Sequence, residues 1–302
     1  MQASEGPSRA VEVSCVCVVG AGVMGRQIAW ACAKAGLRTI LFDAKVETAE
    51  AAKREIEAWL APDGCGTGTA NVPRLEVSRD LACAVGASDL VFENIFEDVG
   101  VKRALYRQVE DLDGGAKLLG SNASSLSWTM LSEGMRWPER FFLMNFSGPR
   151  SSRLAEYMEG PQTCPGVREA ALNWGRRIAI VPIPVLKDTP GYAQNRIWRA
   201  IKKEALRLVD QGYSTPDDVD RGFILSYGVR QGPFMIMDKV GLHTILRIEE
   251  RYHDMTGEAS DRPPAILVDL VRSGRFGEAA GGGFYDYPNP RFEQDGWLDG
   301  NR

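Results

Sequence analysis

From Val11 to about Leu186, short apolar runs rich in β-branched residues alternate with stretches whose apolar positions recur every three or four residues. That alternation marks repeated βαβ units around a mostly parallel sheet. The runs predict strands at Val13–Val19, Arg38–Asp43, Leu75–Val77, Leu90–Ile95, Lys117–Ser121, Phe141–Phe146 and Ile178–Pro184. Helical patterns fall between most of them, notably Met24–Lys34, Val46–Leu60 and Val101–Leu112. After the segment DTPG at Asp188–Gly191 the character changes to long amphipathic helices, expected over Tyr192–Gln211, Pro216–Leu225, Phe234–Met255 and Pro264–Arg272. The pattern therefore divides the chain near residue 187, into an α/β unit over 11–187 and an all-α unit over 188–302. The first ten residues read as a disordered leader, and the Gly/Thr/Asn-rich stretch Ala61–Val72 as a flexible surface loop.

The turn between the first strand and the first helix carries the first chemical signal. Gly20, Gly22 and Gly25 form G-x-G-x-x-G, with Ala21, Val23 and Met24 between them, directly after an apolar strand and opening an Ala-rich helix. The first Gly permits the tight turn, the second lets a pyrophosphate approach the backbone, and the third lets helix and strand pack closely. The phosphate then rests on unpaired N–H groups at the helix N-terminus. Asp43, at the end of the next strand, is placed to accept hydrogen bonds from adenosine ribose hydroxyls and would repel a 2′-phosphate, which favours NAD over NADP. FAD uses the same fingerprint, but flavin enzymes usually add further dinucleotide-contacting elements on a longer chain. The fold expected is a Rossmann-type doubly wound sheet followed by a helical domain.

Composition narrows the partners. The 302 residues carry 36 Lys plus Arg against 40 Asp plus Glu, a net charge of -4, so no bulk field gathers nucleic acid or an anionic membrane. No uninterrupted apolar run reaches the ~18 residues of a membrane span. Of six Cys, Cys15 and Cys17 form C-x-C on one face of a predicted strand, which is not a metal spacing; no metal site is expected, and buried thiols fit a cytoplasmic, reducing setting. A small-molecule substrate is the expected partner.

Five motifs in order, GAGVMG at Gly20–Gly25, SNASSL at Ser121–Leu126, KDTPGYAQNR at Lys187–Arg196, GPFMIMDKVGL at Gly232–Leu242 and GGGFYDY at Gly281–Tyr287, resemble the 3-hydroxyacyl-CoA dehydrogenase family over nearly the whole chain. The resemblance implies an NAD-binding Rossmann domain, a helical C-terminal dimerisation domain and a homodimer. It implies oxidation of an alcohol carbon by hydride transfer to nicotinamide, with a His, oriented by a Glu, taking the hydroxyl proton. By the same likeness Ser124 and Asn195 hold the reacting oxygen, as oxyanion donors should. Glu97, Lys102 and Asn122 match cofactor-site positions. The alternative readings are a helix N-cap for Ser124 and a polar residue of an exposed first turn for Asn195.

The pattern breaks at the base. Where the family has its His, the segment FFLMNFSGPRSSRLAEY places Asn145, whose amide has no titratable proton near neutral pH. Loss of a general base costs on the order of 10²- to 10⁴-fold in rate, so the proton path must differ. Glu156 is the counterpart of the orienting Glu and a candidate base, directly or through water held by Asn145, if burial raises its pKa. Gly148 and Ala279 replace a family Asn and Lys, and the loop after Asn145 now carries Ser147, Arg150, Ser151, Ser152 and Arg153, donors suited to an anionic substrate group, with Arg150 as its ligand. The segment matching the family's CoA-adenine contact is cut down to APDGCGTGTANV.

The leading expectation is thus an NAD-dependent enzyme interconverting a 3-hydroxy and a 3-oxo acid or thioester, with Ser124, Asn145, Glu156 and Asn195 as catalytic residues and a specialised anionic substrate. An NAD-binding relative without catalysis and a reductase of an imine are the alternatives. Ile224, Met235, Met237 and Leu246 are expected to pack across a two-fold interface.

Overall fold

A computed structural model describes residues 12–61, 75–115 and 117–300; the leader, and all of the Ala61–Val72 loop but its first residue, lie outside the described residues. The chain divides into two compact units, one ending at Ala193 and the next starting at Gln194.

The first unit is an eight-stranded sheet in the order β3-β2-β1-β4-β5-β6-β7-β8. Its strands are β1 (Cys15–Val19), β2 (Arg38–Phe42), β3 (Leu75–Ser78), β4 (Leu90–Glu93), β5 (Leu118–Ser121), β6 (Phe141–Phe146), β7 (Leu154–Met158) and β8 (Val181–Val185). β1 to β6 are mutually parallel, and β7 and β8 run the other way. The order reverses between β1 and β4, which opens a crevice outside the C-terminal ends of those strands.

Alternation along each strand builds two cores. Val16, Val18, Phe92, Phe142 and Met144 pack under α1 (Val23–Lys34), α2 (Val46–Leu60) and α6 (Pro165–Arg177). Cys15, Cys17, Val91, Phe141 and Leu143 face α3 (Leu81–Gly86), α4 (Val99–Asp113) and α5 (Trp128–Ser132). Cys15 and Cys17 thus share a face as small buried hydrophobes.

β7 is a strand absent from the sequence-based expectation, and it supplies the antiparallel turn of the sheet. In the second unit, α7 (Gln194–Asp210), α8 (Pro216–Tyr227), α9 (Pro233–Val240), α10 (Leu242–Thr256) and α11 (Ala265–Arg272) enclose their own core. The helix expected over Phe234–Met255 is broken at Gly241, whose φ of +97° no helix interior holds. Met235 and Met237, expected at a subunit interface, are buried in that core, with Ile224 and Leu246 packed against it. Two buried carboxylates knit it together. Asp220 accepts from the N–H groups of Phe234 and Met235 and from the Tyr285 hydroxyl, and Asp238 from the N–H groups of Phe284 and Tyr285 and the Tyr287 hydroxyl. The motifs GPFMIMDKVGL and GGGFYDY are therefore bound to each other as scaffold.

No helix among the described residues is long and apolar enough to cross a membrane.

Candidate active site

The crevice begins at the glycine turn. Gly20 sits at φ +96°, and a Cβ there would lie 2.7 Å from the Asn94 carbonyl oxygen. A Cβ on Gly25 would lie 1.8 Å from the Gly20 carbonyl oxygen, so neither position accepts a side chain. At Gly22 a Cβ would meet nothing within 4 Å. Gly22 is the N-cap of α1 and brings no side chain to its N–H groups, which leaves that helix end to an anion. Beside it the Asp43 carboxylate accepts from Ala21 N–H at 2.9 Å and from Lys45 N–H at 2.9 Å, fixed at the end of β2. Turn, open helix end and carboxylate fit a dinucleotide: Gly20–Gly25 would hold the pyrophosphate and Asp43 the adenosine ribose.

Behind this turn lies a polar array, buried at Glu93 and Lys102 and half-buried at Glu97, Ser124 and Ser125. Glu97 accepts from Ser124 N–H and Ser125 N–H, each at 2.8 Å, and from the Ser125 hydroxyl at 3.1 Å, through one oxygen; its other oxygen stands 3.4 Å from Lys102 Nζ. Lys102 is buried and paired to Glu93 at 2.5 Å, so within the described fold it serves Glu93 and Glu97. Asn122 accepts through Oδ1 from Phe146 N–H at 2.9 Å and ties the end of β5 to the end of β6.

Ser124 is not a helix cap. The N-cap of α5 is Ser127, which accepts from Met130 N–H, and Asp188 of the KDTPGY motif takes the N–H groups of Trp128 and Thr129 at 2.7 and 2.8 Å. Tyr192 of the same motif, at φ +51°, donates its buried hydroxyl to the Ala123 carbonyl at 2.9 Å. Burial and the surrounding carboxylates, Glu97 foremost, push that hydroxyl's pKa well up, so it stays a donor. The next N–H, of Ala193, reaches Glu156 at 2.9 Å. One dipeptide thereby ties the residue before Ser124 to the strand that carries Glu156.

Asn145 on β6 pairs with Glu156 on β7. Glu156 is 2% exposed; Asn145 is half-buried, and its amide makes no hydrogen bond to another described residue. Both point to the face of the sheet that holds Tyr192, since their two-residue neighbours Leu143 and Met158 lie in that core. Asn195 stands in the first turn of α7, in the second unit.

The β6–β7 loop departs from expectation. Its donors do not converge. Ser151 turns its hydroxyl onto the Gly148 carbonyl, Ser152 accepts from Leu154 N–H, and Arg153 reaches the Ala179 carbonyl. Arg150 lays its guanidinium over Trp59 at 4.0 Å and near Trp30 at 6.0 Å, and its N–H meets Gln27 of α1. Gly148, at φ +82°, closes the turn. Glu93, Tyr192 and Asp188 are the site-building residues that sequence reasoning missed; an acidic residue ending an apolar strand was the one visible sign, at Glu93.

Comparison with known proteins agrees with this geometry. Residues 15–189 match the 3-hydroxyacyl-CoA dehydrogenase NAD-binding domain, and residues 191–287 the C-terminal domain of the same family. The mitochondrial hydroxyacyl-coenzyme A dehydrogenase of Homo sapiens is 30% identical over 293 residues, 93% of each chain. The 5-formyl-3-hydroxy-2-methylpyridine 4-carboxylate 5-dehydrogenase of Mesorhizobium japonicum is 28% identical, covering 90% of each. A diketoreductase described as acting on dicarbonyl compounds superposes with a TM-score of 0.82 at 28% identity, over 92% of this chain and all of that one. The chain belongs to the 3-hydroxyacyl-CoA dehydrogenase family, with NAD as its cofactor and oxidoreduction at a CH–OH group as its chemistry.

Proposed function

We propose that this enzyme interconverts a 3-hydroxy and a 3-oxo acid, that its substrate is a free anionic acid, and that its proton path differs from the family's. The observation that carries the reading is the register pairing of Asn145 with Glu156, an amide opposite a carboxylate where the family resemblance implies a His. Bound NAD supplies the hydride acceptor. The chain's own residues do the rest: the Ser124 hydroxyl holds the reacting oxygen, Asn145 holds the substrate or a water, and Glu156 takes the proton from it. Donors fixed before reaction stabilise the developing charge without reorganising.

Arg150 stacks on Trp59 of α2, on the face of the sheet opposite the one that Asn145 and Glu156 share, so what it offers an anion is the edge N–H groups of its guanidinium and not contact with that pair. The name of one relative, a pyridine carboxylate dehydrogenase, points the same way. Buried free thiols at Cys15, Cys17 and Cys32 suit a cytoplasmic setting. A homodimer would cover Leu225, Tyr227 and Val229, which are exposed around the end of α8; light scattering is expected to give twice the 33.2 kDa chain mass.

The test follows NADH absorbance against 3-oxoacyl thioesters and free, phosphorylated or phosphonylated 3-oxo acids. Turnover is expected on free anionic acids, with Arg150→Ala raising KM about 10-fold or more, as loss of a charge-assisted hydrogen bond does. Turnover on thioesters alone would overturn the anionic substrate, and silence across the panel with tight NADH binding would overturn the catalytic reading.

A further inference from the structure

Glu93 has no exposure to solvent and no place in the chemistry described above, yet four donors meet on its carboxylate. One oxygen accepts from Ile95 N–H at 2.6 Å and from Lys102 Nζ at 2.5 Å; the other accepts from the Tyr106 hydroxyl at 2.8 Å and the Ser121 hydroxyl at 2.6 Å. All four partners are donors. Burial and the Glu93 charge push the Tyr106 pKa well up, so that hydroxyl remains protonated. Only an ionised carboxylate satisfies four donors, because an amide would turn its NH₂ toward a donor in either orientation.

Two arms lead from this carboxylate to Ser124. Through Ser121, whose hydroxyl oxygen accepts from Ala123 N–H at 3.1 Å, it fixes the residue before Ser124. Through Lys102, which spreads its ammonium over Glu93, the Ile95 carbonyl at 3.3 Å and Glu97 at 3.4 Å, it fixes the Glu97 carboxylate. Glu97 in turn takes the N–H groups of Ser124 and Ser125. The main chain adds a third link, since Asn122 N–H donates to the Glu93 carbonyl at 2.9 Å. Residues 121–125 are therefore held by two glutamates bridged by one lysine.

We propose that Glu93 is a positioning residue for the Ser124 hydroxyl, acting through Lys102 and Glu97 on one side and through Ser121 on the other. The proposal rests on the reading that Ser124 holds the reacting oxygen. Removing the Glu93 charge leaves Lys102 to Glu97 and the Ile95 carbonyl, which draws the Glu97 carboxylate off the serine N–H groups and loosens the loop. A lysine without its partner is also costly when buried, so Glu93→Gln is paired with Ser121→Ala, which cuts one arm and leaves every charge in place.

The experiment measures amide hydrogen exchange over residues 120–127, without substrate and with or without NADH, next to steady-state kinetics and melting. Glu93→Gln is expected to speed exchange across Ser124 and Ser125 by 10-fold or more and to lower kcat about 10- to 100-fold while substrate KM moves less than 3-fold. Ser121→Ala is expected to change both readouts in the same direction by a smaller factor, with little change in Tm. Exchange and kcat at wild-type values in both variants would overturn the proposal, even if Tm falls, because that leaves Glu93 a purely structural role. If the wild type turns over no substrate, the reading of Ser124 fails, and the exchange data alone decide whether Glu93 holds this loop.

Discussion

Asn145 and Glu156 lie directly opposite each other on antiparallel strands, so their Cβ atoms are roughly 4.5–5.5 Å apart on one face of the sheet. An imidazole at position 145 would meet the Glu156 carboxylate with no rearrangement of the backbone. Asn145→His is therefore expected to raise kcat about 10²-fold on a 3-hydroxy acid, the scale of a general base. It should also introduce an ionisation near pH ~6.5 into the pH–rate profile. An unchanged profile would show that Glu156 does not orient a base.

Ser124→Ala removes the proposed oxyanion donor and leaves its N–H on Glu97. Turnover is expected to fall about 10²- to 10³-fold, with NADH affinity within a factor of three. Stopped-flow reduction and NADH fluorescence titration separate the two, and full turnover would remove Ser124 from the chemistry.

Tyr192→Phe leaves the Ala123 carbonyl buried without its donor. The expected cost is roughly 1–3 kcal/mol, read from urea unfolding. No change in the midpoint would mean that the Ala123 carbonyl finds another donor.

Burial raises the Asp220 carboxyl to about 6, and Asp238 moves the same way for the same reason. A carboxyl whose folded pKa lies above its unfolded value binds more protons in the native state between the two. Stability of the second unit should then fall as pH rises from about 4 to about 6 and level off above. Below this window Asp261, held low by Lys203, Thr256 and Arg199, acts in the opposite sense. Melting across this range is expected to show the decline in the wild type and a flatter curve in Asp220→Asn; a wild-type Tm that rises from pH 4 to 6 would contradict it.

How far such features can be read in sequence depends on what each requires of its own residues. Gly20 and Gly25 were legible because no side chain fits there, and Asp43 because it ends a strand next to them. β7 was not: LAEYM is five residues long, and its inward face includes a buried Glu where the pattern wants an apolar residue. The break at Gly241 was hidden because apolar spacing runs on through it from α9 into α10. The loop at Ser147–Arg153 shows the limit most plainly, since its donors were visible but their directions are set by Gly148, Trp59 and Ala179, none of which the spacing connects. Glu93 and Lys102 meet from two different elements, and periodicity identifies neither partner.

Gly148 bends the chain so that β6 returns as β7, and Ser147 N–H closes the ladder on the Leu154 carbonyl. The ladder locks which residue of β7 opposes which residue of β6, whatever the tip of the hairpin contains. The tip can therefore change, at Arg150 and its neighbours, without disturbing the register that sets Asn145 opposite Glu156 in the stem. The same separation makes the tip exchangeable as a cassette: a grafted loop of equal length leaves the pair in place, whereas one extra residue in the stem would turn Glu156 to the opposite face.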